Sequence, residues 1–362
     1  MMRRLLVTAL LAAALSGCTN TETPPENATE IQPGLLKVAG ESPGFGFTFA
    51  VVDSSGIIEQ GAYGIYDPSG RATELDTLFH VGSTHKAINA LVVATLVDDD
   101  IVDWDTALAT VLDDPDIDPA ITFRHLLTMS SGIPADIEDD LPEDLAQPDL
   151  ADTVFDAVAT MDPLADPGET FEYSNVSAAA AGYGAAMAGA TTSNAHQAYI
   201  DLLQDRVLDP LGMSDSTVLA SEAASTGRLS TSFSPSGSVA SIDSDTDILA
   251  PSGSLKSTAG DMAHFLQMML AGGTTTNGER LVSEAVIAEM WTPALENYAM
   301  GWEMMHVDGI EVLVHEGSFD GFLSIIAVLP DDDLGLVVLT NSEVRGQGVI
   351  DAAVGLLVAE VS

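Results

Sequence analysis

Apolar runs gather at the two ends of this chain, and helical spacing dominates between them. Phe45 to Val52 and Ile57 to Ile65 are apolar runs flanking Asp53-Ser54-Ser55-Gly56, which predicts a β-hairpin. Ile88, Leu91, Val92, Thr95 and Leu96 follow Ser83 at helical spacing, up to Asp98-Asp99-Asp100. Ile121 to Leu127 predicts a further helix, closed by the turn residues Ser130-Ser131-Gly132-Ile133-Pro134. Residues 135 to 166, rich in Asp, Pro and Leu, predict short surface helices, with a turn at Pro167-Gly168-Glu169. The small residues from Ala178 to Ala190 suit a closely packed interior helix, and Ala198 to Leu208 a second, ended by Asp209-Pro210-Leu211-Gly212-Met213. Ser221 to Ser254 reads as loops with short strands, and Asp261 to Leu270 and Ser283 to Met290 as helices. Ile310 to Val314, Phe322 to Leu329 and Leu334 to Leu339 predict an antiparallel meander, and Val349 to Val361 a terminal helix. Strands at both ends imply an α+β fold: an antiparallel sheet formed by both termini, helices packed on it, and an inserted, mostly helical region.

The first residues depart from this pattern. Arg3 and Arg4, the apolar run Leu5 to Leu15 and Ser16-Gly17 read as an export signal over residues 1–17. Leu15-Ser16-Gly17-Cys18 resembles the bacterial lipoprotein signal, in which the cysteine becomes a lipid-bearing N-terminus; an ordinary secretory signal with an incidental cysteine is the alternative. Arg3-Arg4 leaves twin-arginine export open. Residues 18–34 carry Pro24, Pro25 and Pro33 and no periodicity, so they read as a lipidated N-terminus and flexible tether. Residues 35–362 then form the folded domain. The expected location is outside the cytoplasm, held to a membrane through Cys18.

Composition narrows the possible partners. With 55 acidic and 11 basic residues the net charge is -44, which argues against nucleic acid or an anionic membrane surface. Such a carpet of carboxylates suits high salt, where screening relieves self-repulsion. Cys18 is the single cysteine, so neither an intrachain disulfide nor a catalytic thiol elsewhere is available. The seven histidines show no zinc-ligand spacing, no His-Glu-x-x-His occurs, and no Gly-x-Ser-x-Gly elbow is present. No cofactor is expected.

Candidate chemistry begins at Ser83-Thr84-His85-Lys86. In a helix starting near Ser83, the hydroxyl and the amine share one face about one turn apart. A buried lysine of lowered pKa could take the serine proton, and the helix N-terminus would favour a developing oxyanion. A capping serine followed by a solvated lysine fits the same four residues. The chain holds only three lysines, however: Lys37, Lys86 and Lys256.

Two later patterns, Tyr173-Ser174-Asn175 and His315-Glu316-Gly317, stand in order behind the first. Here the sequence resembles the serine beta-lactamase and penicillin-binding protein superfamily, in its branch of class C beta-lactamases, D,D-peptidases and related esterases. Leu126 to Gly132, Pro167 to Phe171, Pro210 to Met213, Ser257 to Asp261 and Tyr298 to Trp302 support the resemblance, which covers roughly residues 40 to 360. It implies Ser83 as acylated nucleophile, Lys86 helping to deprotonate it, and Tyr173 acting with Lys86 as base and later as acid, its phenol pKa held down by the ammonium. It also implies Asn175 bonding Lys86 and the substrate amide, and an oxyanion hole from the N–H groups of Ser83 and Ser318, with Gly317 allowing close approach. His315 stands where many relatives have lysine. A neutral imidazole attracts a substrate carboxylate less, and Glu316 repels one if it points inward; a strand histidine that merely packs is the other reading. Arg345 is a candidate for the missing positive charge, and Lys256 is expected to be structural. The function implied is an extracytoplasmic serine hydrolase acting through an acyl-enzyme on a D-amino-acid peptide, ester or beta-lactam. Small molecules or peptidoglycan-type peptides are the expected partners, and a peptidase or esterase fits better than an efficient beta-lactamase. The alternative is a cell-surface penicillin-binding or sensing lipoprotein of the same fold that does not turn over.

Overall fold

A strand covered on both faces carries apolar side chains at nearly every position, and three strands of this chain do so. The computed structural model describes residues 29–137, 149–189, 194–233, 245 and 247–362. The expected export signal, Cys18 and most of the tether lie outside these residues. A six-stranded sheet is built from β1 (Gly46–Asp53), β2 (Gly56–Gly64), β5 (Glu303–Val307), β6 (Ile310–Phe319), β7 (Phe322–Leu329) and β8 (Leu334–Thr340), in the order β2-β1-β8-β7-β6-β5. Every pairing is antiparallel. The β1–β8 seam joins the two ends of the chain, with Phe47 opposite Thr340 and Val52 opposite Gly335.

Alternation along the strands divides the core in two. Leu336 and Val338 of β8, with Phe47, Phe49 and Val51 of β1, face the terminal helices Ile31–Ala39 and Glu343–Ala359. Val337 and Leu339, with Ala50 and Val52, face the helix Ala259–Leu270 and the inserted region. At the centre of that region lies the helix His85–Asp98, every residue of which from His85 to Leu96 is buried. The helix Asn175–Gly189 packs across it through small side chains, and Asn89 Nδ2 donates to Ala178 O at 2.8 Å. A separate ribbon, β3 (Phe79–His80) with β4 (Lys256–Ser257), steadies the chain just before Ser83.

The structure corrects several expectations. The described residues open on the helix Ile31–Ala39, so residues 31–34, expected to belong to the tether, are helical and fold with the domain. Pro33 falls in the first turn of that helix, where a missing N–H leaves no bond unmade. The described residues between Ser221 and Ser254 contain the short helices Ala220–Ser225 and Ala250–Gly253 and no named strand. The last helix starts at Glu343, capped by Ser342, six residues before Val349. Glu303–Val307 adds an unexpected edge strand, and β6 runs on through His315 to Phe319. Two Asp-Gly turns make this meander. Asp308-Gly309 and Asp320-Gly321 all have positive φ, the geometry that two-residue hairpins require.

Candidate active site

Ser83 sits in a tight turn, Gly82–Thr84, that feeds directly into the helix His85–Asp98. Strand β6 presses on this turn so closely that side chains cannot intervene. A methyl on Gly317 would lie 2.1 Å from Val81 O and 3.0 Å from Ser83 N, and one on Gly82 would lie 2.7 Å from Ser318 N. Glycine at both positions therefore lets the peptide groups of Ser83 and Ser318 meet at one spot, as an oxyanion pocket requires.

Lys86 is buried behind Ser83. Its Nζ lies 3.1 Å from Ser83 Oγ and donates to Asn175 Oδ1 at 2.7 Å and to Ser252 O at 2.9 Å. The orientation of Asn175 is fixed from its far side, because Asn175 Nδ2 donates to Asp136 Oδ1 at 2.7 Å. Both acceptors of Lys86 are carbonyl oxygens with no proton to give. Once the amine is neutral, its two N–H bonds go to them and its lone pair is left to face the Ser83 hydroxyl. Burial lowers the Lys86 pKa to about 7, with Asp136 pulling weakly the other way.

Tyr173 precedes the helix Asn175–Gly189 in a loop pinned by Ser174 Oγ, which donates to Pro134 O at 2.8 Å and accepts from Ser177 N at 3.0 Å. Its ring centre lies 4.8 Å from Lys86 Nζ. Contrary to the expectation that Lys86 holds the phenol pKa down, burial pushes it up to about 12 against the pull of the Ser83 hydroxyl. At neutral pH the phenol keeps its proton. These protonation states suit Lys86 to accept a proton and Tyr173 to donate one.

His315 is 6% exposed, and both ring nitrogens are engaged. Nδ1 donates to Glu316 O at 2.7 Å, so Nε2, 2.9 Å away, accepts from the Tyr298 hydroxyl. Burial, with Lys86 nearby, lowers its pKa to about 3, so the ring is neutral. It thus supplies no charge to a substrate: its ring lines the cleft and its Nε2 holds Tyr298, which packs edge-on to Tyr173 at 6.2 Å. Arg345 is also removed from the list of cations, since Nη1 donates to Gly44 O at 2.8 Å and the residue does not line the cleft. Lys256 is buried in β4 and donates to Val218 O at 2.9 Å, a structural placement.

The cleft beside Ser83 has a volume of about 460 Å3 and is lined by Ser83, Tyr173, Glu303, Met305, Val314, His315, Glu316, Gly317, Ser318 and Leu323. β5 pairs with β6 only up to Val314, so among the described residues His315 to Phe319 are paired on the β7 side alone. Among the described residues no group of three His, Cys, Asp or Glu is placed to hold a metal ion. The sequence pointed to the nucleophile, the amine, the phenol and the amide; it gave no pointer to Asp136, Glu303 or the role of Tyr298. Only Tyr298 lies in a stretch that carried the resemblance.

This fold and this site define a serine hydrolase. The profile of the Beta-lactamase family matches residues 38–360, and the chain belongs to that family. Penicillin-binding protein 4 of Amycolatopsis lactamdurans is 27% identical over 313 residues, which cover 80% of this chain and 77% of that protein. An unguisins hydrolase of Aspergillus campestris is 27% identical over 321 residues, 82% of this chain but only 58% of the fungal protein. A class C beta lactamase from Rhodobacter sphaeroides shares the fold with a TM-score of 0.75 at 20% identity, covering 92% of this chain and 99% of its own.

Proposed function

We propose that the protein hydrolyses amide or ester substrates through a covalent acyl-enzyme on Ser83, in the manner of a peptidase or esterase. The observation that carries this reading is Lys86 Nζ at 3.1 Å from Ser83 Oγ with its two other contacts on carbonyl oxygens, an arrangement that leaves the neutral amine's lone pair for the hydroxyl. Lys86 takes the hydroxyl proton as Oγ attacks the substrate carbonyl carbon, and the resulting oxyanion is met by the N–H groups of Ser83 and Ser318. Collapse breaks the bond to the leaving group. Tyr173 protonates that group and recovers a proton from the Lys86 ammonium. Water then repeats the sequence on the ester, with Lys86 again taking the proton, and frees the acid and Ser83. We further propose an exported protein lipidated at Cys18, a reading supported by Leu15-Ser16-Gly17-Cys18 behind an apolar run. Loss of fatty-acid labelling in Cys18→Ala is its test.

To test the chemistry, the protein and Ser83→Ala are mixed with a chromogenic short-chain ester, a fluorescent penicillin and a D-Ala-D-Ala peptide. Turnover of at least one, with an acyl adduct on Ser83 by intact mass and neither in the variant, is expected. Stable labelling without turnover identifies the sensing lipoprotein instead, and equal turnover by Ser83→Ala overturns the mechanism.

A further inference from the structure

The cleft that serves Ser83 is lined by carboxylates, and among the described residues no cation lines it to balance them. Glu303 and Glu316 both line it. Glu303 pairs across the strands with Val314, and Glu316 lies two residues further along β6, so the two carboxylates project from the same face as diagonal neighbours. Desolvation, then the charges of Asp351 and Glu303, raise the pKa of Glu316.

A positive partner can be sought through the whole chain, because Lys and Arg number only 11. Arg71, Arg124, Arg206, Arg228 and Arg280 are paired with acidic side chains away from the cleft. Arg345 is bound to Gly44 and Lys256 to Val218. Lys37 lies on the terminal helix Ile31–Ala39, and Arg3 and Arg4 precede the described residues. Lys86 lies behind Ser83 and does not line the cleft. The stretches 138–148, 190–193, 234–244 and residue 246 contain no Lys or Arg, so they bring no basic side chain to the cleft. His315 has both nitrogens engaged. Among the described residues, then, a substrate carboxylate entering this cleft meets two like charges on its walls and no opposite one beyond Lys86 behind Ser83, whereas an ammonium meets two opposite charges.

We propose that Glu303 and Glu316 select amide or ester substrates that carry a cationic amine and reject those that carry a carboxylate. The site itself is defined by the nucleophile and its base; the glutamates set the charge it accepts. This rests on the acyl-transfer reading of Ser83, and a neutral ester reports on that reading separately.

Three activated esters of equal length, ending in a methyl, an ammonium or a carboxylate, are compared by kcat/KM, each rate referred to the neutral ester on the same protein. At low salt the ammonium ester is expected to exceed the carboxylate ester by about tenfold or more, the ratio falling as salt is added. In Glu303→Gln/Glu316→Gln the ratio is expected to approach one. In Asp331→Asn/Asp332→Asn, which removes the same charge from the exposed turn between β7 and β8, it is expected to keep its wild-type value. A ratio at or below one in the wild type overturns the proposal, as does a ratio that the two variants lower equally. Should the double glutamine variant not fold, the salt dependence of the wild-type ratio decides alone. No turnover of the neutral ester would instead sink the acyl-transfer reading.

Discussion

A primary amine that has lost its proton keeps two donors and one lone pair, and the surroundings of Lys86 settle where each goes. Asn175 Oδ1 and Ser252 O take the donors, and Ser83 Oγ is left with the lone pair. With its pKa brought down to about 7, Lys86 is charged in acid and neutral in mild alkali. kcat/KM is therefore expected to rise through pH 7 and level off above it. Asp136 raises the Lys86 pKa, and Asp136→Asn keeps an oxygen for Asn175 Nδ2 while removing the charge. The rising limb in that variant should move to lower pH, measured as a pH profile on a neutral ester; a limb that moves up contradicts the assignment. At this scale the spacing of Ser83 and Lys86 drew attention to them but suited a capping serine and a solvated lysine as well; resemblance gave them, with Tyr173 and Asn175, their expected roles. Asp136 stayed hidden because its contact with Asn175 crosses 39 positions of chain, and no local pattern encodes it. His315 was visible as a residue, but its engaged nitrogens depend on Tyr298, 17 positions away.

Elements position these groups by close backbone contact. β6 lies so close to the Ser83 turn that Gly317→Ala would force a methyl to within 2.1 Å of Val81 O. The strand must retreat, taking the Ser318 N–H with it, so acylation should slow more than tenfold and stability fall by about 1–3 kcal/mol. Burst kinetics and denaturant unfolding measure the two effects. The terminal helices act on the opposite face of the sheet. Leu35→Ala should cost about 2–5 kcal/mol in the same unfolding measurement, with kcat at 25 °C unchanged, because Leu35 is fully buried in the core beneath the terminal helices and does not line the cleft. The hairpin, meander and central helix were legible because apolar runs and turn residues coincide there. Glu303–Val307 was not, since its residues are exposed or half-buried and include Glu and His. Its clearest signal was the Asp308-Gly309 turn that follows it.

At the scale of the molecule two features dominate, the charge and the closure of the sheet. A net charge of -44 on 362 residues stores repulsion that salt relieves, so the melting temperature should rise between low and molar salt; a flat or falling curve overturns this expectation. That charge was plain from composition, yet the placement of two carboxylates in the cleft became visible only when β5 came to lie beside β6. Closure is the other feature. β1, from the first sixth of the chain, bonds to β8 near its end, and the wall of the oxyanion pocket comes from residues 317 and 318. A nascent chain halted on the ribosome before that point bears its serine and amine but no pocket to use them in. On the chemistry proposed above, competence therefore arrives only with the last strands synthesised.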